Sequence, residues 1–202
     1  RTDCGALWGK PFVYRFFIGL FKPRNSITGT DFAGVVEAVG EKVSKFKIGD
    51  RVFGFDDNTL PSHAEYMAID CKKPITKIPD GFTYEQAVAS AEAAHYAYNF
   101  LNKVKLQPGQ KVLVNGGTGG IGSAAIQLLK SMDIFVTAVC HSKYDDRVRA
   151  LGPDRIIHYD KEDFTQDYEK YDFVFDAVGK SSFKPCTRIL KDNGIYISSE
   201  LG

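Results

Sequence analysis

The sequence predicts an α/β protein in which a β-rich first half precedes a doubly wound parallel sheet, and three observations predict it. Lys111-Val-Leu-Val-Asn-Gly-Gly-Thr-Gly-Gly-Ile-Gly122 runs straight into Ser123-Ala-Ala-Ile-Gln-Leu-Leu-Lys130, which reads as a buried strand, a glycine turn and a helix in succession. Beyond Lys111, strand-like and helix-like segments alternate, and alternating βα units of this length imply a parallel sheet wrapped by helices on both faces. Up to about Tyr66 the chain is instead rich in glycine and short alternating segments, the pattern of strands joined by turns.

In the first half, residues 32–39, 50–55 and 63–69 alternate as strands, and 43–50 form a loop feeding the second of them. After Pro79-Asp80-Gly81, Thr83 and Gln86 fit a capping box and Phe82 stands where it can staple against Ala87, so a helix is expected from there to about Asn102. Further strands are expected over 134–139, 156–158, 173–176 and 195–198, with helices near 145–151 and 181–190. Gly152-Pro153 and Gly194 are read as their stops. This places a β-rich domain over residues 1–80 and a second domain over 81–202 that includes the entry helix. The second holds five of the six strands of a dinucleotide fold. An uncovered sheet edge is an association hazard, so the chain is expected to be an internal portion of a longer enzyme, or a truncated variant.

Composition narrows the function. At 202 residues, with 44% hydrophobic and 25% charged residues, the chain has ordinary globular composition. A net charge of +1 from 26 basic and 25 acidic residues gives no broad basic surface, which argues against nucleic acid as the primary partner. The longest apolar run, Phe16-Phe-Ile-Gly-Leu-Phe21, falls far short of the about 20 residues a membrane span needs. Cys4, Cys71, Cys140 and Cys186 are scattered, without a C-x-x-C pair, and read as reduced structural thiols. No signal sequence is visible, and a cytoplasmic location is the working expectation.

The chemistry concentrates in the glycine turn. Gly117, Gly119 and Gly122 match G-x-G-x-x-G, in which the first glycine permits a tight turn, the second lets backbone approach a pyrophosphate and the third lets helix pack on strand. With Thr118, Gly120 and Ile121 they present amides at a helix N-terminus, where a partial positive charge faces the phosphates. Sites selective for NADH usually carry Asp or Glu about 20 residues beyond the glycines, on the ribose 2′-hydroxyl. Here that point is Val139-Cys-His-Ser-Lys143, where Ser142 and Lys143 can instead receive a 2′-phosphate, so NADPH is expected over NADH. Asp145 and Asp146 follow closely; a one-step register change would restore NADH, and first-turn helix acids are their other reading. An NTPase loop is excluded because Gly122-Ser123 lacks the lysine, and a short-chain dehydrogenase because no tyrosine is followed four residues later by lysine.

These motifs resemble the medium-chain dehydrogenase/reductase superfamily, specifically its zinc-free quinone oxidoreductase branch. Gly29-Thr-Asp-Phe-Ala-Gly-Val-Val-Glu-Ala-Val-Gly40 with Lys47-Ile-Gly-Asp-Arg-Val-Phe53 is similar to the GroES-like catalytic domain. Pro108-Gly-Gln-Lys-Val-Leu-Val114 with the glycine turn, and Tyr171-Asp-Phe-Val-Phe-Asp-Ala-Val-Gly179, are similar to a Rossmann-type cofactor domain. Zinc members carry Gly-His-Glu where this chain has Gly29-Thr30-Asp31, and a Cys where it has Arg1, ahead of Thr2-Asp3. With the histidine replaced and no four-cysteine lobe, the usual tetrahedral sites cannot be assembled; Cys4 and His63 are metal ligands in principle, but a scattered pair is more often incidental, and no zinc is expected.

The resemblance implies further contacts: Tyr159 beside the adenosine phosphate, and Val178 and Gly179 meeting the nicotinamide ribose. It implies hydride transfer from NADPH to a quinone or an α,β-unsaturated carbonyl, the protein orienting the cofactor and excluding water. Tyr14 and Tyr96 are nameable proton donors with equally good readings as packing aromatics, so no catalytic residue is assigned. Where the family often has Gly-Gly-Leu-Thr-Ala, this chain has Ala93-Ala-His-Tyr-Ala97, which puts Tyr96 in the place of a threonine. The alternatives are a relative of zinc-type alcohol or aldehyde dehydrogenases, and a non-enzymatic NADPH-binding scaffold or RNA-binding homologue. A homodimer joined through cofactor-domain edges is also implied, weakened by the absent sixth strand.

Overall fold

The computed structural model describes residues 27–56 and 62–199, with 8–9, 12, 15–16 and 19–20 ahead of them. By contacts the chain divides into two units, Arg1–Glu92 and Ala93–Gly202, with the boundary inside a helix. Cys4 and Tyr14 lie outside the described residues.

In the first unit, β1 (Asp31–Val35), β2 (Arg51–Phe55) and β3 (Ile75–Lys77) form an antiparallel sheet in the order β1-β2-β3. Its registers run Asp31↔Phe55 to Val35↔Arg51, and Val52↔Lys77 to Gly54↔Ile75. Phe46, Val52 and Ile75 are buried at its centre, ringed by Phe32, Val36, Val43, Ile69 and Cys71. The strand expected over 63–69 does not form. His63 donates its amide to the Thr28 carbonyl at 2.7 Å, Ala64 turns back onto Ser62, and Tyr66 stays exposed, so the alternation finds no partner strand among the described residues. The third strand comes from Ile75–Lys77 instead, too short to carry a periodic signal.

Helix α1 (Tyr84–Leu101) starts at the expected place. Thr83 N–H donates to Gln86 Oε1 at 3.0 Å, and Gln86 N–H donates to Thr83 Oγ1 at 3.2 Å, the reciprocal pair of a capping box.

The second unit is a five-stranded parallel sheet ordered β6-β5-β4-β7-β8. Its strands are β4 (Lys111–Asn115), β5 (Phe135–Cys140), β6 (Arg155–His158), β7 (Tyr171–Asp176) and β8 (Leu190–Ser198). Helices α2 (Gly120–Lys130), α3 (Asp145–Arg149) and α4 (Phe183–Cys186) connect them. Because side chains alternate along a strand, β4 sends Val112 and Val114 to one face and Leu113 to the other. Val112 and Val114 join Val136, Phe173, Phe175 and Ala125, Ile126 and Leu129 of α2; Leu113 joins Val139, Ile157, Tyr171, Val174 and Ile189. Both clusters are fully buried, each aliphatic side chain contributing about 1.5–3 kcal/mol.

Another segment departs from expectation. The helix expected over 181–190 shrinks to four residues containing Pro185, and Gly194 is part of β8 rather than a helix stop. Asn193 adopts φ 63°, and the pairing of β8 with β7 skips from Tyr171↔Leu190 to Phe173↔Ile195, so the Asn193-Gly194 pair absorbs an irregularity in the ladder.

Candidate functional site

The strand order turns at β4, whose neighbours β5 and β7 carry the chain away on opposite sides, and in open α/β sheets the crevice at the carboxyl ends there receives ligands. Leaving β4, the chain reverses at Gly116 with φ 90°, a left-handed value that glycine adopts without steric cost. The tight turn therefore falls one residue ahead of Gly117. The amides of Gly116 and Gly117 both donate to the Val139 carbonyl, at 3.1 and 3.0 Å, tying the turn to β5. Gly119 donates back to Gly116 at 3.0 Å and then serves as an extended N-cap for α2 with no side-chain cap.

A Cβ on Gly122 would lie 2.2 Å from the Gly116 carbonyl oxygen, so α2 approaches the turn closely only because residue 122 has none. Among the described residues, the amides of Gly120, Ile121 and Gly122 donate to no backbone acceptor outside the helix ladder, leaving the positive end of α2 open. Thr118 is exposed beside them, and a cavity of about 350 Å³ adjoins the turn, lined by Gly117, Thr118, Ser123, Tyr144 and Arg147 among others. Uncapped amides at an uncrowded helix terminus fit a phosphate diester.

The carboxyl ends of β5 and β6 lie side by side, with Cys140 in register with His158. After Cys140, a short 3-10 turn (Ser142–Tyr144) begins, and His141 Nδ1 accepts the Lys143 amide at 3.2 Å. Ser142 gives both its donors to one carboxylate: its amide to Asp160 Oδ1 at 2.7 Å and its hydroxyl to Asp160 Oδ2 at 2.6 Å. These bonds, the hydroxyl's first, hold the Asp160 carboxyl down at about 2. Lys143 Nζ lies 4.7 Å from the centre of the Tyr144 ring, and Arg147 approaches the same ring at 5.6 Å. Tyr159 donates its amide to Cys140, and its ring stands 5.6 Å from that of His141. Ser142, Lys143 and Tyr159 thus share one end of the sheet. Asp145 is engaged elsewhere, by His158 Nε2 at 2.8 Å and Arg149 at 2.8 Å, and those bonds, His158's first, lower its carboxyl pKa.

At the end of β7, Asp176 is fully buried and accepts five hydrogen bonds. Oδ1 takes Asn115 Nδ2 (3.0 Å), Val178 N (3.1 Å) and Gly179 N (3.0 Å); Oδ2 takes Ser181 N (2.8 Å) and the Tyr196 hydroxyl (3.2 Å). Burial first, and then the Asp176 charge, push the Tyr196 phenol up to about 12. The amides of Val178 and Gly179 are therefore spent on Asp176, which shapes their loop. The loop also reaches the glycine turn, since a Cβ on Gly116 would lie 2.3 Å from Val178 Cγ2. Asp160, Asp176 and Asn115 were not singled out from sequence. Asp176, closing the apolar run Tyr171–Asp176, carried a signal; Asp160 carried none.

In the first unit Thr30, in the position of the zinc members' histidine, is buried with its hydroxyl 3.1 Å from Glu92 Oε2 and 3.2 Å from Asp31 Oδ2. Asp31 accepts the Glu92 amide at 2.9 Å, and His63 Nδ1 lies 2.9 Å from the Thr28 hydroxyl. Among the described residues, no three His, Cys, Asp or Glu side chains converge as a metal donor set, and no helix is long and apolar enough to cross a membrane.

Residues 11–98 match the alcohol dehydrogenase GroES-like domain family, and residues 120–198 match the zinc-binding dehydrogenase family. The chain is 33% identical to 2-methylene-furan-3-one reductase of Solanum lycopersicum, over 93% of its own length and 51% of that protein's. It is 33% identical to the chloroplastic NADPH-dependent alkenal/one oxidoreductase of Arabidopsis thaliana, over 87% and 47%. Among solved structures, the quinone oxidoreductase from Coxiella burnetii superposes with a TM-score of 0.83 at 28% identity, covering 97% of this chain and 62% of that one. The chain spans about half the length of the curated relatives it matches. With the fold and the glycine turn already described, the class is defined: the chain belongs to the medium-chain dehydrogenase/reductase superfamily. Within it, motifs and relatives fit the zinc-free quinone oxidoreductase branch.

Proposed function

We propose that the chain forms the cofactor-binding core, and part of the catalytic domain, of a reductase that passes hydride from NADPH to a quinone or an α,β-unsaturated carbonyl without zinc. The observation that carries this reading is the open amide cluster at the N-terminus of α2, kept uncrowded by Gly122. Relatives named as a furanone reductase and an alkenal/one oxidoreductase support the acceptor class, and Thr30 in the histidine position supports zinc independence.

In this reading the nicotinamide ring supplies the hydride. Residues 81–202 hold the dinucleotide and residues 1–80 belong to the catalytic domain. Gly117, Thr118, Gly119, Gly120, Ile121 and Gly122 receive the pyrophosphate on backbone amides. Lys143, with Ser142 and Tyr159, lies at the adenosine phosphate, and the Val178-Gly179 loop packs beside the nicotinamide ribose. We place the activity in the cytoplasm, in a homodimer; cell fractionation and sedimentation test those two points.

Rapid mixing of the purified protein and NADPH with a panel of quinones and enones tests the activity. Acceptor-dependent oxidation of NADPH is the expected result, unaffected by chelators. Binding of NADPH without oxidation by any acceptor would turn the assignment toward a non-catalytic nucleotide-binding role.

A further inference from the structure

The end of β5 carries no acid in Val139–Lys143, yet the structure brings one there from the next strand. β5 and β6 are parallel and paired through Cys140 and His158, so the segments leaving them run adjacent. Asp160 leaves β6 and sets both carboxylate oxygens on the amide and hydroxyl of Ser142. We propose that Asp160 supplies from β6 the carboxylate that β5 lacks, and thereby lowers the preference of this site for NADPH over NADH. This rests on the nicotinamide reading above.

The argument is one of donors and charge. A 2′-phosphate needs hydrogen-bond donors and positive charge. Both donors of Ser142 are already committed to Asp160, so its hydroxyl retains only lone pairs for a ligand. Lys143 remains as a cation beside Tyr144, and Asp160 sets a carboxylate on the residue before it, with His141 Nδ1 3.5 Å from the same carboxylate. A ribose 2′-hydroxyl has the opposite requirement: it is a donor, and a carboxylate accepts from it. The carboxyl is held at about 2 and stays ionised at neutral pH. Eighteen residues separate Ser142 from Asp160, which is why the acid is invisible where the strand-end rule looks for it.

The test is calorimetric titration of the 202-residue chain and its Asp160→Asn variant with NADPH and NADH. The wild type is expected to bind the two within about tenfold of each other, and the variant to shift the affinity ratio toward NADPH by at least about tenfold. A wild type that discriminates more strongly, or a variant whose ratio shifts less, overturns the proposal. Loss of affinity for both nucleotides in equal measure would mark Asp160 as a mere brace for Ser142, and also overturns it. Should Asp160→Asn not fold, competition on the wild type between 5′-ADP and 2′,5′-ADP decides: similar affinities support the proposal, and a preference beyond about tenfold for 2′,5′-ADP overturns it. If the wild type binds neither dinucleotide, the nicotinamide reading itself falls and this inference with it, a result distinct from unchanged preference.

Discussion

A methyl group on residue 122 would meet backbone, 2.2 Å from the Gly116 oxygen and 2.8 Å from its carbon, and backbone has no rotamer with which to yield. Gly122→Ala is therefore expected to cost about 1–3 kcal/mol in urea unfolding, the range for forced overpacking, and to weaken dinucleotide binding in the same preparation. Asp176→Asn strikes the opposite kind of site. The replacement leaves one acceptor oxygen and an amide that points donors at donors, in a fully buried place. A loss of about 2–3 kcal/mol on denaturant titration is expected, typical of a hydrogen bond to a buried charge. A loss below about 1 kcal/mol would mean that water or a rearranged loop takes over the role. The glycine turn was legible because its chemistry is local: spacing within twelve residues dictates it. Asp160 was not, because its partner Ser142 lies 18 residues away and only the pairing of β5 with β6 brings the two together; for Asp176 the loop amides are local, but Asn115 lies 61 residues away and Tyr196 20.

Among the elements, two with local punctuation are legible in the sequence. The Thr83–Gln86 box marks the start of α1, and the Gly152 turn, at φ 82°, follows α3. Replacing Thr83 by alanine removes the acceptor for the Gln86 amide, and a destabilisation of about 1 kcal/mol is expected from thermal or urea unfolding. Elements defined by pairing were harder. Residues 63–69 alternate as a strand should, but alternation states only which faces differ; a neighbour must still supply the ladder. Ile75–Lys77 has that neighbour in β2 and forms a strand with three residues. At the end of the chain, Asn193-Gly194 resembles a helix stop in composition. Both a helix end and a strand irregularity ask for a left-handed residue, so the dipeptide alone could not distinguish them.

Across the whole molecule, ionisation sets the pH range of stability. Hydrogen bonds from His158 and Ser142 depress Asp145 and Asp160; for Asp154, Asp167 and Asp172 burial pushes the other way and is outweighed by Lys130, by Tyr171 with Arg155, and by Lys191. Folded pKa values below the ordinary carboxylate value near 4 mean that the unfolded chain takes up protons first as pH falls. Their stabilisation is complete above about pH 4 and declines toward about pH 2, so the urea midpoint is expected to drop between about pH 4 and pH 2. Burial raises Tyr171 and Tyr196, the latter to about 12, and their contribution is complete below about pH 10 and lost above it. An ultraviolet titration should show tyrosines ionising late, with one fewer of them in Tyr196→Phe. The five donors gathered on Asp176 have a last consequence. Folding itself fixes the Val178-Gly179 loop, so a nucleotide bound as proposed would meet a finished wall and have no ordering entropy to overcome there. Amide hydrogen exchange at those two residues should be slow and equally so with and without nucleotide, and the association rate should follow diffusion and desolvation rather than closure of this segment.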